Sequence, residues 1–394
     1  MRIGIDARFL THPQPGGFKT YTEQLIWALL EVDPENEYVL YVDRPSDSPA
    51  IAPLAPNATV RVVPGTAPFI GMPWREQIGL TMQAKRDQID VLHALCLTAP
   101  VNAPCPLVVT IHDTIWMSPR RFSQQQKRGK CSLMDVYYRY VPQIVARRAS
   151  AVITVSHDAR AAIVQHLGIP AHRVFVTYEA AAPIYRTLDR SRAIDAVQQR
   201  FGLDADFILA LGSADPRKNI STLLRAYALL PERLRVNHNL AIVWTHPLLA
   251  DSILAEARAN GIEGQLRFLQ RVSNDDLVNL YNAAGLFVFP SRYEGFGLPI
   301  LEAMACGAPV VASNNSSIPE VAGNAALLVD AESPSSIAHA MERVFSDESL
   351  RDELIARGVQ RGASFSWQRC ARETVAVYQK CYSGREGARA MRVA

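Results

Sequence analysis

The chain has 394 residues, more than one hydrophobic core normally serves, so its length predicts two domains. Hydrophobic residues make up 48% and charged residues 20%, as in soluble globular proteins, and a net charge of +3 is too small to mark a nucleic-acid binder. The cysteines (Cys96, Cys105, Cys131, Cys306, Cys370, Cys381) show no C-x-x-C and no paired zinc spacing, which predicts free thiols in a reducing compartment. No signal peptide or membrane-length apolar run is visible, and Asp6 and Arg8 interrupt the first apolar stretch, so a cytoplasmic location is expected.

In chain order, residues 2–5 read as a buried strand, followed by a loop with Pro13, Pro15, Gly16 and Gly17. Leu25, Ile26, Leu29 and Leu30 then mark an amphipathic helix ending near Asp33-Pro34. The Gly16-Gly17 pair opens that helix and lets backbone N–H groups approach a phosphate or sugar; the plain alternative is a loop. Strands over 38–42, 60–63, 91–92 and 107–111 and a helix over 74–85 follow, an alternation that predicts a mostly parallel, doubly wound sheet. At the carboxyl edge of the strand 107–111 stand His112 and Asp113. A histidine there can meet a sugar hydroxyl or a leaving oxygen, while Asp113 orients it, meets the acceptor or merely caps the next turn.

Between Trp116 and Arg148 lie eight basic residues (Arg120, Arg121, Lys127, Arg128, Lys130, Arg139, Arg147, Arg148) against one acid, Asp135. They form either a solvated helical face or a surface for anionic lipid or a diphospho-lipid acceptor. A strand over 151–155, a helix capped by Ser156 and broken at Gly168-Ile169-Pro170, and a strand over 174–176 complete the first half; residues 179–189 read as a linker with a cleft beside it.

In the second half a strand over 207–211 leads into Gly212-Ser213-Ala214-Asp215-Pro216-Arg217-Lys218-Asn219, with Asn219 as expected helix cap. Two cations at a helix start oppose the macrodipole unless an anion lies between them, and the fork of Arg217 with the point charge of Lys218 suits a diphosphate. Strands over 240–244 and 266–269 flank a helix over 247–260, and a loop with Gln270 and Val272 follows. Leu286-Phe287-Val288-Phe289 is an apolar strand ended by Pro290-Ser291; Glu294, Gly295, Phe296, Gly297 and Leu298 make a loop entering a helix with Pro299 in its first turn, and residues 309–312 form the next strand. That unit places Glu294 and Glu302 where open α/β sheets hold ligands: carboxylates accept from hydroxyls, and helix-start N–H groups donate to phosphate, as a nucleotide sugar requires. Alternatively Glu294 is solvated and Glu302 only favours the helix dipole. A strand over 325–329 and helices over 337–345, 350–361 and 367–382 close the chain.

The stretch from Pro290 to Glu320, continued by Val321-Ala322-Gly323, closely resembles the E-x7-E donor signature of the retaining GT-B glycosyltransferases of family GT4. Weaker likeness covers nearly the whole chain, including the His112-Asp113 pair and the Pro216–Asn219 tetrad. The resemblance implies two Rossmann-like α/β domains facing across a cleft, residues 1–183 for the acceptor and 190–366 for the donor, with a helix over 367–384 crossing back to the first. It implies a metal-independent transfer of a hexose from a nucleotide sugar to a glycan or lipid-linked glycan of bacterial surface polysaccharide, GDP-mannose first and UDP-glucose second. Arg217 and Lys218 would stabilise the leaving diphosphate, Glu294 the donor sugar, Glu302 the ribose, the loop of Gln270 and Val272 the base, and His112 the reacting sugar. The chain departs from many relatives at Lys19-Thr20, where Gly-Arg is common, and at Gln270, where glycine is. A dinucleotide oxidoreductase is disfavoured because no G-x-G-x-x-G follows a strand, and Asp204-Ala205-Asp206 precedes its strand, where a metal-binding D-x-D has no exit loop. A nucleotide-sugar epimerase and a silent sugar-nucleotide-binding module stay open as alternatives.

Overall fold

The computed structural model describes residues 1–12, 16–45, 55–65, 71–117, 133–245 and 251–393. They group into two compact units, one holding the chain up to Glu179 and again from Ser366, the other running from Ala180 to Phe365. The first unit is built on seven parallel strands: β1 (Arg2–Asp6), β2 (Glu37–Val42), β3 (Ala58–Val62), β4 (Val91–Ala94), β5 (Leu107–Thr110), β6 (Ala151–Thr154) and β7 (Val174–Val176). Their spatial order, β3-β2-β1-β4-β5-β6-β7, reverses between β1 and β4. The second has six, also parallel: β8 (Ile208–Gly212), β9 (Leu240–Trp244), β10 (Leu266–Leu269), β11 (Leu286–Phe289), β12 (Val310–Ser313) and β13 (Leu327–Val329). Their order is β10-β9-β8-β11-β12-β13, reversing between β8 and β11. This is the two-domain, Rossmann-like α/β architecture expected from the sequence.

Strands covered on both faces must be apolar throughout, and LFVF of β11 and LAIVW of β9 are buried at every position. In β11, Phe287 and Val288 lie beside Val310 and Val311 of β12, each side chain contributing roughly 1.5–3 kcal/mol by leaving water. The C-terminal helix, Trp367–Val393, belongs to the first unit and packs against the helix Gly17–Val32, burying Trp367, Cys370, Ala371 and Tyr378. Tyr378 Oη meets His93 Nδ1 at 2.6 Å, His93 Nε2 meets Thr110 Oγ1 at 2.8 Å, and Thr110 meets Tyr21 Oη at 3.2 Å. Burial, followed by the neighbouring His112, pushes the His93 imidazole down to about 3, so this relay runs through a neutral ring.

Several elements depart from expectation. The helix expected over 74–85 is Gly71–Trp74, a π turn over Arg75–Gly79 and Leu80–Arg86, and it turns Arg75 and Glu76 into the interior. The helices Arg190–Phe201, Glu232–Asn237 and Asn274–Ala283 were not foreseen. Ser156 does cap its helix, accepting from the Ala159 N–H at 3.0 Å. Asn219 does not: it holds φ +57, and its amide donates to the carbonyls of Pro290 and Ala331 at 3.0 and 2.7 Å, stitching loops together. Of the basic stretch, Arg120, Arg121, Lys127, Arg128 and Lys130 lie outside the described residues. The rest sit on the helix Leu133–Arg148, where Arg147 donates to the Leu167 carbonyl at 3.1 Å and Arg148 to Asn102 at 2.7 Å.

Candidate functional site

In the second unit the exit loops of β8 and β11 leave the sheet on either side of the reversal in strand order, the place where open α/β sheets hold their ligands. The β8 loop makes a short turn over Pro216–Lys218, started by Asp215, whose carboxylate accepts from the Arg217 N–H at 2.9 Å and from Arg217 Nε at 2.7 Å. The β11 loop is tied to it: Arg292 N–H donates to the Arg217 carbonyl at 2.8 Å, and Arg292 Nη1 donates to the Pro216 carbonyl at 3.0 Å. These bonds bring together charges far apart in sequence. Lys218 Nζ lies 2.7 Å from Glu294 Oε1, and Arg217 Nη1 lies 4.0 Å from Glu294 Oε2. The Lys218 ammonium also stands 5.1 Å from the centre of the Phe289 ring, a cation–π contact at the end of β11.

Glu294 is held from behind: its N–H donates to Ser316 Oγ at 2.9 Å, and Ser317 Oγ donates to the carbonyls of Glu294 and Phe296 at 2.9 and 2.8 Å. Gly297, at φ +108, turns the chain into the helix Leu298–Ala305, a conformation that a side chain strains. Glu302 sits in that helix at 7% exposure and accepts from Tyr281 Oη at 3.3 Å. Burial, then the carboxylate of Glu302, holds the Tyr281 phenol well above its ordinary value, so Tyr281 is a donor here. Gln270 and Val272 follow β10, two strands from β8, in a loop that ends where Ser273 and Asp276 cap the helix Asn274–Ala283 reciprocally. Asp206 lies at the opposite end of β8, its carboxylate 2.7 Å from Arg190.

In the first unit His112 follows β5, with Nδ1 3.1 Å from Glu179 Oε1 and Nε2 3.4 Å from the Leu95 carbonyl oxygen. The rings of Tyr21 and Phe18 meet it edge-on at 4.6 and 5.0 Å. Both rings belong to the helix that Gly16 and Gly17 open, so the glycine loop and His112 are local neighbours. Asp113 spends one carboxylate oxygen on the Ile115 N–H at 2.9 Å, shaping the turn Ile115–Met117. Sequence reasoning assigned no site role to Glu179, Asp215, Tyr281, Ser316 or Ser317. Glu179 lies in an aperiodic loop 67 residues from its partner, which leaves no local signal.

Two family profiles match the chain: Glycosyltransferase Family 4 over residues 15–180 and Glycosyl transferases group 1 over residues 191–361. The chain is 30% identical over 317 residues to the MMP alpha-(1->4)-mannosyltransferase of Mycolicibacterium hassiacum, covering 76% of this chain and 72% of that one. The chain belongs to glycosyltransferase family 4. It is also 38% identical over 232 residues to O-antigen chain mannosyltransferase B of Escherichia coli, 59% of this chain and 61% of the relative, so the matched part falls short of that protein's full length. Among solved structures, sucrose-phosphate synthase from Thermosynechococcus elongatus shares the GT-B fold, with a TM-score of 0.75 at 20% identity, covering 98% of this chain and 100% of that one. The family 4 profile spans Gly16, Gly17, His112, Asp113 and Glu179, and the group 1 profile spans Arg217, Lys218, Gln270, Val272 and 294–302.

For a family member with this geometry, Glu302→Gln is the informative substitution, because it keeps the packing and an acceptor for Tyr281 while removing the charge. The ribose contact expected of Glu302 predicts a donor KM raised about tenfold, kcat changed less and an unaltered melting temperature, since a charged hydrogen bond to a distant hydroxyl is alike in ground and transition states. A lowered melting temperature with normal kinetics assigns Glu302 to structure instead.

Proposed function

We propose that this chain moves a hexose from a nucleotide sugar, GDP-mannose first and UDP-glucose second, to a glycan or lipid-linked glycan of a surface polysaccharide, with retention and without a metal ion. The observation that carries the reading is Lys218 paired with Glu294 across the strand-order reversal, with Arg217 in the same cluster. Mannose as the sugar draws on the two relatives named as mannosyltransferases. Arg217 and Lys218 neutralise the departing diphosphate, Glu294 accepts from hydroxyls of the sugar, Glu302 accepts from the ribose, and His112 meets the sugar through Nε2. The acceptor oxygen bonds to the anomeric carbon on the face the diphosphate leaves, and its proton passes to the departing phosphate oxygen.

A thermal-shift panel of GDP- and UDP-sugars tests the donor, followed by transfer assays on the best binder in excess EDTA. A ligand at a hundred times its Kd stabilises the protein by about 2.7 kcal/mol, a readily seen shift. Two cations in place of a metal predict full activity in EDTA. Loss in EDTA with rescue by Mn2+ overturns the metal-free mechanism, stabilisation by NAD or nucleic acid alone overturns the transferase, and conversion of donor with no acceptor present marks an epimerase.

The reading includes a peripheral contact with anionic membrane, and the basic residues are not its best support, since Arg147 and Arg148 are tied to neighbouring backbone and side chains. Better support comes from exposed apolar residues four apart on two helices: Trp74, Ile78 and Met82 at 48, 47 and 48%, and Val136, Tyr140 and Ile144 at 42, 51 and 41%. The helices are joined by Gln77 Nε2 donating to Tyr137 Oη at 2.9 Å, and exposed Lys85, Arg86 and Arg139 flank them. No helix among the described residues is long and apolar enough to cross a membrane, so the contact is interfacial. Replacing Trp74, Ile78 and Met82 by serine is expected to weaken co-sedimentation with phosphatidylglycerol vesicles at least tenfold, from about 0.5–1 kcal/mol per half-buried side chain. Unchanged sedimentation removes the membrane from the proposal.

A further inference from the structure

We infer that Glu179 is a positioning residue for His112 that decides which ring nitrogen carries the proton. The inference rests on the proposed role of His112 at the sugar and goes beyond it. Glu179 is 4% exposed, and a carboxylate so buried is costly unless it is hydrogen-bonded. Its Oε1 lies 3.1 Å from His112 Nδ1, and an ionised carboxylate only accepts, so Nδ1 is the protonated nitrogen. In the neutral ring Nε2 then keeps its lone pair. Its contact with the Leu95 carbonyl, at 3.4 Å, is the looser of the two and joins two acceptors, so a hydroxyl that donates to Nε2 makes the better bond. The Tyr21 and Phe18 rings fix the remaining freedom of the imidazole, leaving tautomer and tilt to Glu179.

The chain position of Glu179 adds to this assignment. It is the last residue of the first unit before the chain passes into the second, and the chain returns at Ser366. One residue later stands Trp367, 4% exposed, its ring 5.9 Å from that of Tyr21. Each crossing of the chain therefore supplies part of the mount of His112, Glu179 directly and Trp367 through Tyr21.

The experiment compares Glu179→Ala, Glu179→Gln, His112→Ala and the double variant Glu179→Ala/His112→Ala, with imidazole 15N NMR as a readout independent of activity. Wild type and Glu179→Gln, whose amide oxygen still accepts, are expected to show the Nδ1–H form of His112, and Glu179→Ala a mixture or the Nε2–H form. Glu179→Ala is expected to lower kcat about 10–100-fold, the usual effect of losing the partner that orients a functional histidine, with donor KM within about threefold and with recovery in Glu179→Gln. In the His112→Ala background the same change is expected to cost nothing further. An unaltered His112 tautomer in Glu179→Ala, or an equal loss in the His112→Ala background, overturns the inference. Full activity of His112→Ala sinks the role of His112 at the sugar instead, and the 15N spectra then judge Glu179 alone.

Discussion

Lys218→Ala is expected to lower kcat by about 10²–10³-fold while leaving donor KM within about threefold. Negative charge on the leaving diphosphate is fully developed only as the glycosidic bond breaks, so a cation placed there acts mainly on the transition state, and removing one such preorganised group typically costs that much. Lys218 is held by Glu294 at 2.7 Å and by the face of Phe289, so in the proposed role it would meet the diphosphate already oriented. Stability should change little. The Lys218 and Glu294 side chains are 22 and 14% exposed, and a partly solvated pair of this kind contributes on the order of 1 kcal/mol or less. Steady-state kinetics with one donor, beside a melting curve, separates the outcomes: unchanged kcat removes Lys218 from the chemistry, and a large melting shift makes the pair a structural one. Lys218→Arg tests geometry, because a planar fork cannot reproduce a point charge 2.7 Å from one carboxylate oxygen.

The part of this arrangement around Glu294 and Glu302 was legible because it is local. An apolar strand, a glycine-flanked turn, a proline in the first helical turn and a second apolar strand follow within residues 286–313, so composition and spacing alone set the order of elements and put Glu294 and Glu302 at a carboxyl edge. Contacts between distant segments left no such trace. Asn219 looks like a helix cap in sequence, yet its amide is claimed by the carbonyls of Pro290 and Ala331, which only the folded sheet brings near. The helix Asn274–Ala283 was not foreseen, and its cap uses Asp276 where a glutamate or glutamine usually marks the capping box. The helix around residue 75 is the sharpest case: periodicity finds the helix and does not choose its inner face. Trp74, Ile78 and Met82 look like the core side, yet they are exposed, while Arg75 and Glu76 are fully buried. Propensity carries no information about ion pairs that close only between residues about 70 apart, as Arg75 with Asp6 and Arg8 with Glu76 do.

Arg75→Met is expected to destabilise the protein by about 3–5 kcal/mol, the usual cost of leaving one member of a buried ion pair alone. Arg75 donates through Nη2 to Asp6 at 2.8 Å and to the Tyr41 carbonyl at 3.0 Å, and through Nε to the Val63 carbonyl at 2.9 Å. Burial alone would raise the Asp6 carboxyl, and Arg75 with Arg8 outweighs it, holding Asp6 below the ordinary aspartate value of 3.8. In the native protein this pair therefore stabilises the fold above that value and loses its effect as the pH falls through the depressed one. In Arg75→Met burial dominates and the sign inverts, because Asp6 then takes up a proton more readily folded than unfolded. The deficit relative to wild type should shrink as the pH is lowered from 7 to 5. Arg75→Met/Asp6→Asn, which leaves no unpaired carboxylate, should recover much of the loss at pH 7. Urea unfolding at the two pH values measures all three. A single-variant loss below about 1 kcal/mol with no pH dependence would show that Arg8, whose Nε lies 3.7 Å from Asp6, suffices to hold that charge.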